Sequence, residues 1–236
     1  MRDDGRGIRD FEKLLDLGGS DWDHPLEASE DPAGVGLFCL APRALTIRSH
    51  GFAVRINEPG WTGAPVAVEA DTQHLPPPDI AGGTELTFAD DPWTAAAVTP
   101  CAVFTGLNVI VDGQPCPRES FVDDRTGDYP ELGCRIQVLA ASEITPWHQR
   151  AVLSRSLGSN VLLNFHGQVV ALGYRPIRHH DLHFLVDLTG APTDLRLMLP
   201  ARTCLVENDG LRQLQAALER AAFLHLQRQG HHRLTY

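Results

Sequence analysis

A chain of 236 residues with 43% hydrophobic side chains can bury a good core, in one large domain or two small ones. Its formal net charge of −10 puts a repulsive field in front of any polyanion, and no dense Lys/Arg run offsets it, so direct nucleic-acid binding is disfavoured. The five cysteines are widely spaced without a Cys-x-x-Cys pair, which argues against a disulfide framework and a zinc knuckle and reads as reduced, mostly packed thiols.

In chain order, Asp3-Asp4-Gly5-Arg6-Gly7-Ile8 is a glycine-spaced turn, followed by Phe11, Leu14, Leu15 and Leu17 on one face of a short helix. The acidic, proline-interrupted stretch from 20 to 32 reads as a mobile loop. Gly34-Val35-Gly36-Leu37 then starts a buried helix that stops before Pro42. Alternating, β-branched segments at 44–49, 52–57, 65–69 and 84–88 predict an antiparallel meander. After Asp90 an Ala/Thr/Pro-rich stretch reads as a linker, which divides the chain into domains 1–90 and 91–236. Strands are expected at 108–111, 134–139, 161–165, 168–172, 183–188 and 195–199. The chain closes on an amphipathic helix carrying Leu211, Leu214, Leu218, Ala221, Ala222 and His225, with Asn208 or Asp209 as its N-cap. No apolar run approaches the roughly 20 residues of a membrane span, and the first residues are polar where a signal peptide is apolar, so the expected location is the cytoplasm.

Three motifs ask for particular residue types on physical grounds. In 3–8 a carboxylate precedes two glycines that let the backbone bend around a planar ligand, and that carboxylate suits an exocyclic amine. Gly34-Val35-Gly36 entering a helix presents backbone N–H groups where phosphates can sit. Gly83-Thr84 puts a hydroxyl at the start of a strand.

Together these resemble the gyrase B, heat-shock chaperone, histidine kinase and MutL superfamily of ATPases. Residues 3–8 look like the adenine box of gyrase B, Gly34 to Phe38 resembles the Gly-x-Gly-x-Phe box of the chaperones, and Gly83-Thr84 is similar to the strand that closes the site. The resemblance implies an α+β fold: a Bergerat-type sandwich with a mostly antiparallel sheet under helices, then a second small α/β domain resembling a transducer. It implies ATP as ligand, with Asp3 on the adenine amine, Gly5, Gly7 and Ile8 shaping the pocket, Gly34, Val35, Gly36 and Leu37 on the phosphates, and Thr84 supporting the adenine side. Residues 18–32 would be the ATP lid. With Lys13 the only lysine, Arg202 is the candidate cation for the terminal phosphate. The family's helix bearing the water-activating glutamate and the magnesium-holding asparagine has no counterpart here. The sequence therefore reads as N-terminally truncated, with Mg2+ expected only for a full-length form. Function is then an ATP-dependent conformational switch, or else a hydrolysis-deficient or structural partner subunit, acting as a homodimer or with a protein partner.

Other features carry less. His179, His180 and His183 lack partners for a metal site, and Asp123, Asp124 and Asp128 lack the spacing and closing glutamate of a calcium loop and read as a solvated turn.

Overall fold

The computed structural model describes residues 1–17, 36–71, 83–90, 94–152, 159–177, 181–190, 194–198 and 202–229. The chain divides into two compact units, Met1–Pro92 and Trp93–Tyr236, and both combine antiparallel sheet with helix in an α+β architecture.

In the first unit, β1 (Leu45–Ser49), β2 (Phe52–Ile56), β3 (Val68–Ala70) and β4 (Thr84–Phe88) form one antiparallel sheet in the order β3-β2-β1-β4. This corrects the expected meander: β4 returns beside β1 instead of extending the sheet beyond β3. The β1–β2 turn has positive φ at both His50 and Gly51, the backbone that matches strand twist in a two-residue hairpin. Along β1, Leu45, Ile47 and Ser49 point inward while Thr46 and Arg48 point out, as the period of two requires. Arg48 bridges outward to Asp71 at 3.0 Å and Glu85 at 3.1 Å. The core is Leu45, Ile47, Val54 and Ile56, against which Ile8, Phe11, Leu37 and Trp61 pack. Both segments expected as helices before β1 are short 3-10 turns, Glu12–Leu15 and Leu37–Leu40, and neither contains a fully buried residue.

The second unit carries a small hairpin, β5 (Ile110–Val111) and β6 (Gln114–Pro115), and a five-stranded sheet. That sheet contains β7 (Gly127–Tyr129), β8 (Cys134–Ala140), β9 (Val161–Phe165), β10 (Gln168–Leu172) and β11 (Leu182–Leu188) in the order β10-β9-β11-β8-β7. Strands β9 and β11 pair in parallel, and Val152 makes an isolated parallel bridge to Val169 of β10. The helix Asp209–Gln229 covers one face through Leu214, Leu218, Ala222 and Leu226, spaced for a single stripe. Asn208 caps it, its Oδ1 accepting the Leu211 N–H at 3.0 Å. Val103, Phe104, Phe121 and Val122 cover the opposite face. Burial on both sides explains why β9 and β11 are apolar at most positions of both faces, with Asn164, His183 and Asp187 as the polar exceptions.

Two expectations need correction here. The stretch read as a linker contains the helix Ala95–Ala102, started by Thr94, whose side chain accepts the Ala97 N–H; the alanines supply propensity that Pro100 disguises. The strand expected at 195–199 reduces, among the described residues, to an isolated bridge between Leu197 and Leu205. The thiols are also less packed than their composition implies. Cys134 is buried, and burial pushes its thiol up to about 12, but Cys39, Cys101 and Cys204 are exposed.

His148 lies in the layer over the second face, stacked on Phe104 at 5.0 Å and edge-on to Phe121 at 5.2 Å. Its Nε2 is 2.9 Å from the Phe121 carbonyl and its Nδ1 is 2.8 Å from the Thr145 hydroxyl. The neutral tautomer with Nε2–H donating and Nδ1 accepting satisfies both nitrogens, and a second ring proton would face the Thr145 N–H. Burial holds the imidazole below its ordinary range. The folded ring binds a proton less readily than the unfolded one, so stability is complete above the unfolded value of about 6.5 and falls as pH drops below it. Burial holds His183 and His225 low as well, and they act in the same sense. The urea midpoint is therefore expected to fall between about pH 7.5 and about pH 5, and His148→Gln should reduce that fall. An identical pH dependence in the variant would remove His148 from this account.

Candidate functional site

The segment before Gly5 adds to the free edge of β4. The Leu86 N–H donates to the Met1 carbonyl at 2.9 Å, and the Asp3 N–H donates to the Thr84 carbonyl at 3.0 Å. The chain then turns. Asp3 Oδ1 accepts the Gly5 N–H at 2.8 Å, a side-chain-closed turn of the kind aspartate favours. A Cβ on residue 5 would stand 2.8 Å from that same oxygen, so glycine is what lets the carboxylate fold back. The other carboxylate oxygen of Asp3 has no protein partner among the described residues. Gly7 has φ of 72°, the left-handed region where a side chain is strained.

Two residues that sequence reasoning missed hold the far side of this turn. The Arg6 carbonyl lies 2.8 Å from His50 Nε2. The Ile8 N–H donates to Ser49 Oγ at 2.9 Å, and the Ser49 hydroxyl donates to the Gly83 carbonyl at 3.0 Å. Ser49 is 4% exposed and stands directly across from Thr84 in the β1–β4 register. The available signal was a hydroxyl at the third inward position of β1, where Leu45 and Ile47 lead one to expect another apolar side chain.

Of the sequence-derived residues, Asp3, Gly5, Gly7, Ile8 and Thr84 thus come together at one corner of the sheet. Gly36 precedes the turn Leu37–Leu40 with ordinary helical φ of −56° and open space where a Cβ would go, and Leu37 packs half-buried on the same core as Ile8. Gly34 and Val35, with all of the proposed lid 18–32, lie outside the described residues. Arg202 belongs to the second unit. It adopts φ of 51°, its N–H donating to the Met198 carbonyl at 2.8 Å and its carbonyl accepting from Gln168 Nε2 at 2.7 Å.

Two cavities flank the turn Glu12–Leu15. One of about 430 Å³ is lined by Phe11, Leu14, Phe38, Trp61 and Val66, and one of about 460 Å³ by Ile8, Phe11, His50, Phe52 and Val68. Of the sequence-derived site residues Ile8 lines the second of these, together with His50. Among the described residues no group of three or more His, Cys, Asp or Glu is placed to hold a metal ion. The carboxylates considered as a calcium loop include Asp123, which binds Arg125 at 2.7 Å; that hydrogen bond holds its carboxyl down at about 2.

No family model matches this sequence, and no curated protein matches it. Among solved structures the chain is similar to the B-subunit of the DNA gyrase from Myxococcus xanthus, at 14% identity and a TM-score of 0.48, over 90% of this chain and 77% of that one. So distant a likeness carries no argument, and the functional reading rests on the residues and their geometry.

The backbone separates the two glycine motifs experimentally. Gly7→Ala forces a side chain into left-handed φ and should destabilise the first unit by about 1 kcal/mol. Gly36→Ala, in helical φ with nothing near its Cβ, should leave thermal unfolding unchanged or slightly raised. Equal losses in the two variants would contradict this description of the turn.

Proposed function

We propose that the first unit binds ATP and reads its adenine through Asp3, in the manner of the gyrase B, chaperone, histidine kinase and MutL superfamily. One observation carries the reading. Segments about eighty residues apart, 3–8 and Gly83-Thr84, are joined by the hydrogen bond from the Asp3 N–H to the Thr84 carbonyl at 3.0 Å. The same two motifs carry the resemblance in the sequence.

With ring position 6 of the base turned toward it, the Asp3 carboxylate accepts from adenine and is opposed by guanine. With Oδ1 occupied by the Gly5 N–H, the second oxygen is an acceptor facing outward, suited to the exocyclic amine of adenine. Guanine carries a carbonyl acceptor at the equivalent ring position, which would set acceptor against acceptor. Ile8, half-buried and lining the neighbouring cavity, supplies an apolar surface for a planar base, and the buried Thr84 flanks it. Phosphates are assigned to Gly34, Val35, Gly36 and Leu37 by the motif alone. On the same reading nucleotide occupancy is the input of a conformational switch, and the second unit takes the place of a transducer.

Calorimetry of the chain with ATP and GTP tests this. ATP should bind more tightly than GTP, and Asp3→Asn should weaken ATP binding by about 1.5–3 kcal/mol, the usual worth of a hydrogen bond to a charged group. Asparagine can keep the turn, because its Oδ1 still accepts the Gly5 N–H, while an amide donor replaces the outward acceptor. Equal ATP affinity in the two proteins would reject Asp3 as the adenine contact.

A further inference from the structure

We propose that Ser49 and His50 are positioning residues for base recognition, setting the direction in which the 3–8 turn presents Asp3; the inference rests on the nucleotide reading above. The turn is pinned at both ends to the start of one strand. At Asp3 the tie is the backbone bond to the Thr84 carbonyl, and at Ile8 it is the Ser49 hydroxyl, which accepts from Ile8 at 2.9 Å and donates to Gly83 at 3.0 Å. That hydroxyl uses one acceptor and its only donor inside a buried site, so both of its bonds are made in low dielectric. Midway between the ties, His50 Nε2 holds the Arg6 carbonyl at 2.8 Å. His50 can reach it because β1 ends at Ser49 and the hairpin turn begins at the next residue with φ of 50°. Register thus links the Ser49–Thr84 pair, the hairpin turn and the aim of the Asp3 carboxylate.

A merely structural serine would affect stability and leave base preference alone, so the readout is the ratio of ATP to GTP affinity together with amide exchange at Ile8. Ser49→Ala should raise the Ile8 exchange rate, leave the β1–β2 ladder protected, and lower the ATP-to-GTP preference roughly tenfold, the order expected for losing one buried hydrogen bond at the site. Ser49→Thr, which keeps the hydroxyl, should restore much of the preference. His50→Asn provides a second route should Ser49→Ala fail to fold. Asparagine tolerates the left-handed turn but is too short to reach Arg6, and it should shift the ratio in the same direction. An unchanged ratio in His50→Asn and in folded Ser49→Ala, with wild type preferring ATP, overturns the positioning role and leaves the nucleotide reading standing. A wild-type chain that binds neither nucleotide rejects both.

Discussion

The pairing of β1 with β4 is the constraint on which the first unit depends. Side chains alternate faces along a strand, so a slip of one residue would turn Arg48 into the core and carry Ser49 to the outer face. Leu45 and Ile47, each about 1% exposed, make that slip costly, because burying apolar surface contributes about 25 cal/mol per Å². Arg48 adds to the same choice from the other side, since only in this register does it meet both Asp71 and Glu85. Each of these part-buried ion pairs is weak alone, but the apolar and ionic preferences agree on one register. The position of Ser49 opposite Thr84 therefore follows from core packing two and four residues away, and the candidate site inherits its geometry from the core.

The second unit solves a related problem with a polar row whose members Asn164 and Asp187 are buried. Asn164, Asp187 and Arg135 are register partners across β9, β11 and β8. Asp187 accepts from Arg135 at 2.6 Å and from Asn164 at 2.8 Å, and Asn164 accepts the Gly167 N–H at 2.8 Å. The row spans the parallel β9–β11 junction and the antiparallel β11–β8 junction beside it. The apolar runs on β9 and β11 specify burial but are nearly the same on both faces, so they discriminate poorly between registers. A carboxylate that needs both partners distinguishes them, because a slip would leave it buried and unpaired.

What could be read from the chain follows from how local each signal is. The β9–β10 hairpin is legible because two apolar runs flank a His166-Gly167 turn, and the last helix because its stripe and its Asn208 cap lie within a few turns of each other. The helix Ala95–Ala102 was obscured by Pro100, and the 3-10 turns by apolar spacing that fits a longer helix equally well. The placement of β4 beside β1 was not legible, since strand order depends on contacts between residues some forty positions apart and not on pattern within either strand. The site divides in the same way. Gly5 and Gly7 announce a turn locally, whereas Ser49 and His50 belong to the site only through folding and look like an ordinary hairpin end in the sequence.

Net charge does not set which base this corner can recognise. A chain of net charge −10 does not attract a polyphosphate from a distance, and the guanidinium groups of Arg43 and Arg48 in the first unit are engaged by Asp90, Asp71 and Glu85. Asp3 is itself an anion on an exposed surface. Along the corner itself the exposed Arg2, Arg6 and Arg9 stand among Asp3, Asp4 and Asp10, so charge does not choose between bases, and that choice must come from short-range complementarity: a carboxylate oxygen of Asp3, an apolar Ile8 beside it, and a turn that holds the two in fixed relation. Hydrogen bonds of this kind discriminate only when their direction is set in advance, because a mobile acceptor can realign to suit a wrong partner. The glycines give the turn its shape but no stiffness, since they enlarge the set of conformations the backbone can visit. Stiffness has to come from outside the turn, and the bonds that Ser49 and His50 make to Ile8 and Arg6 supply it.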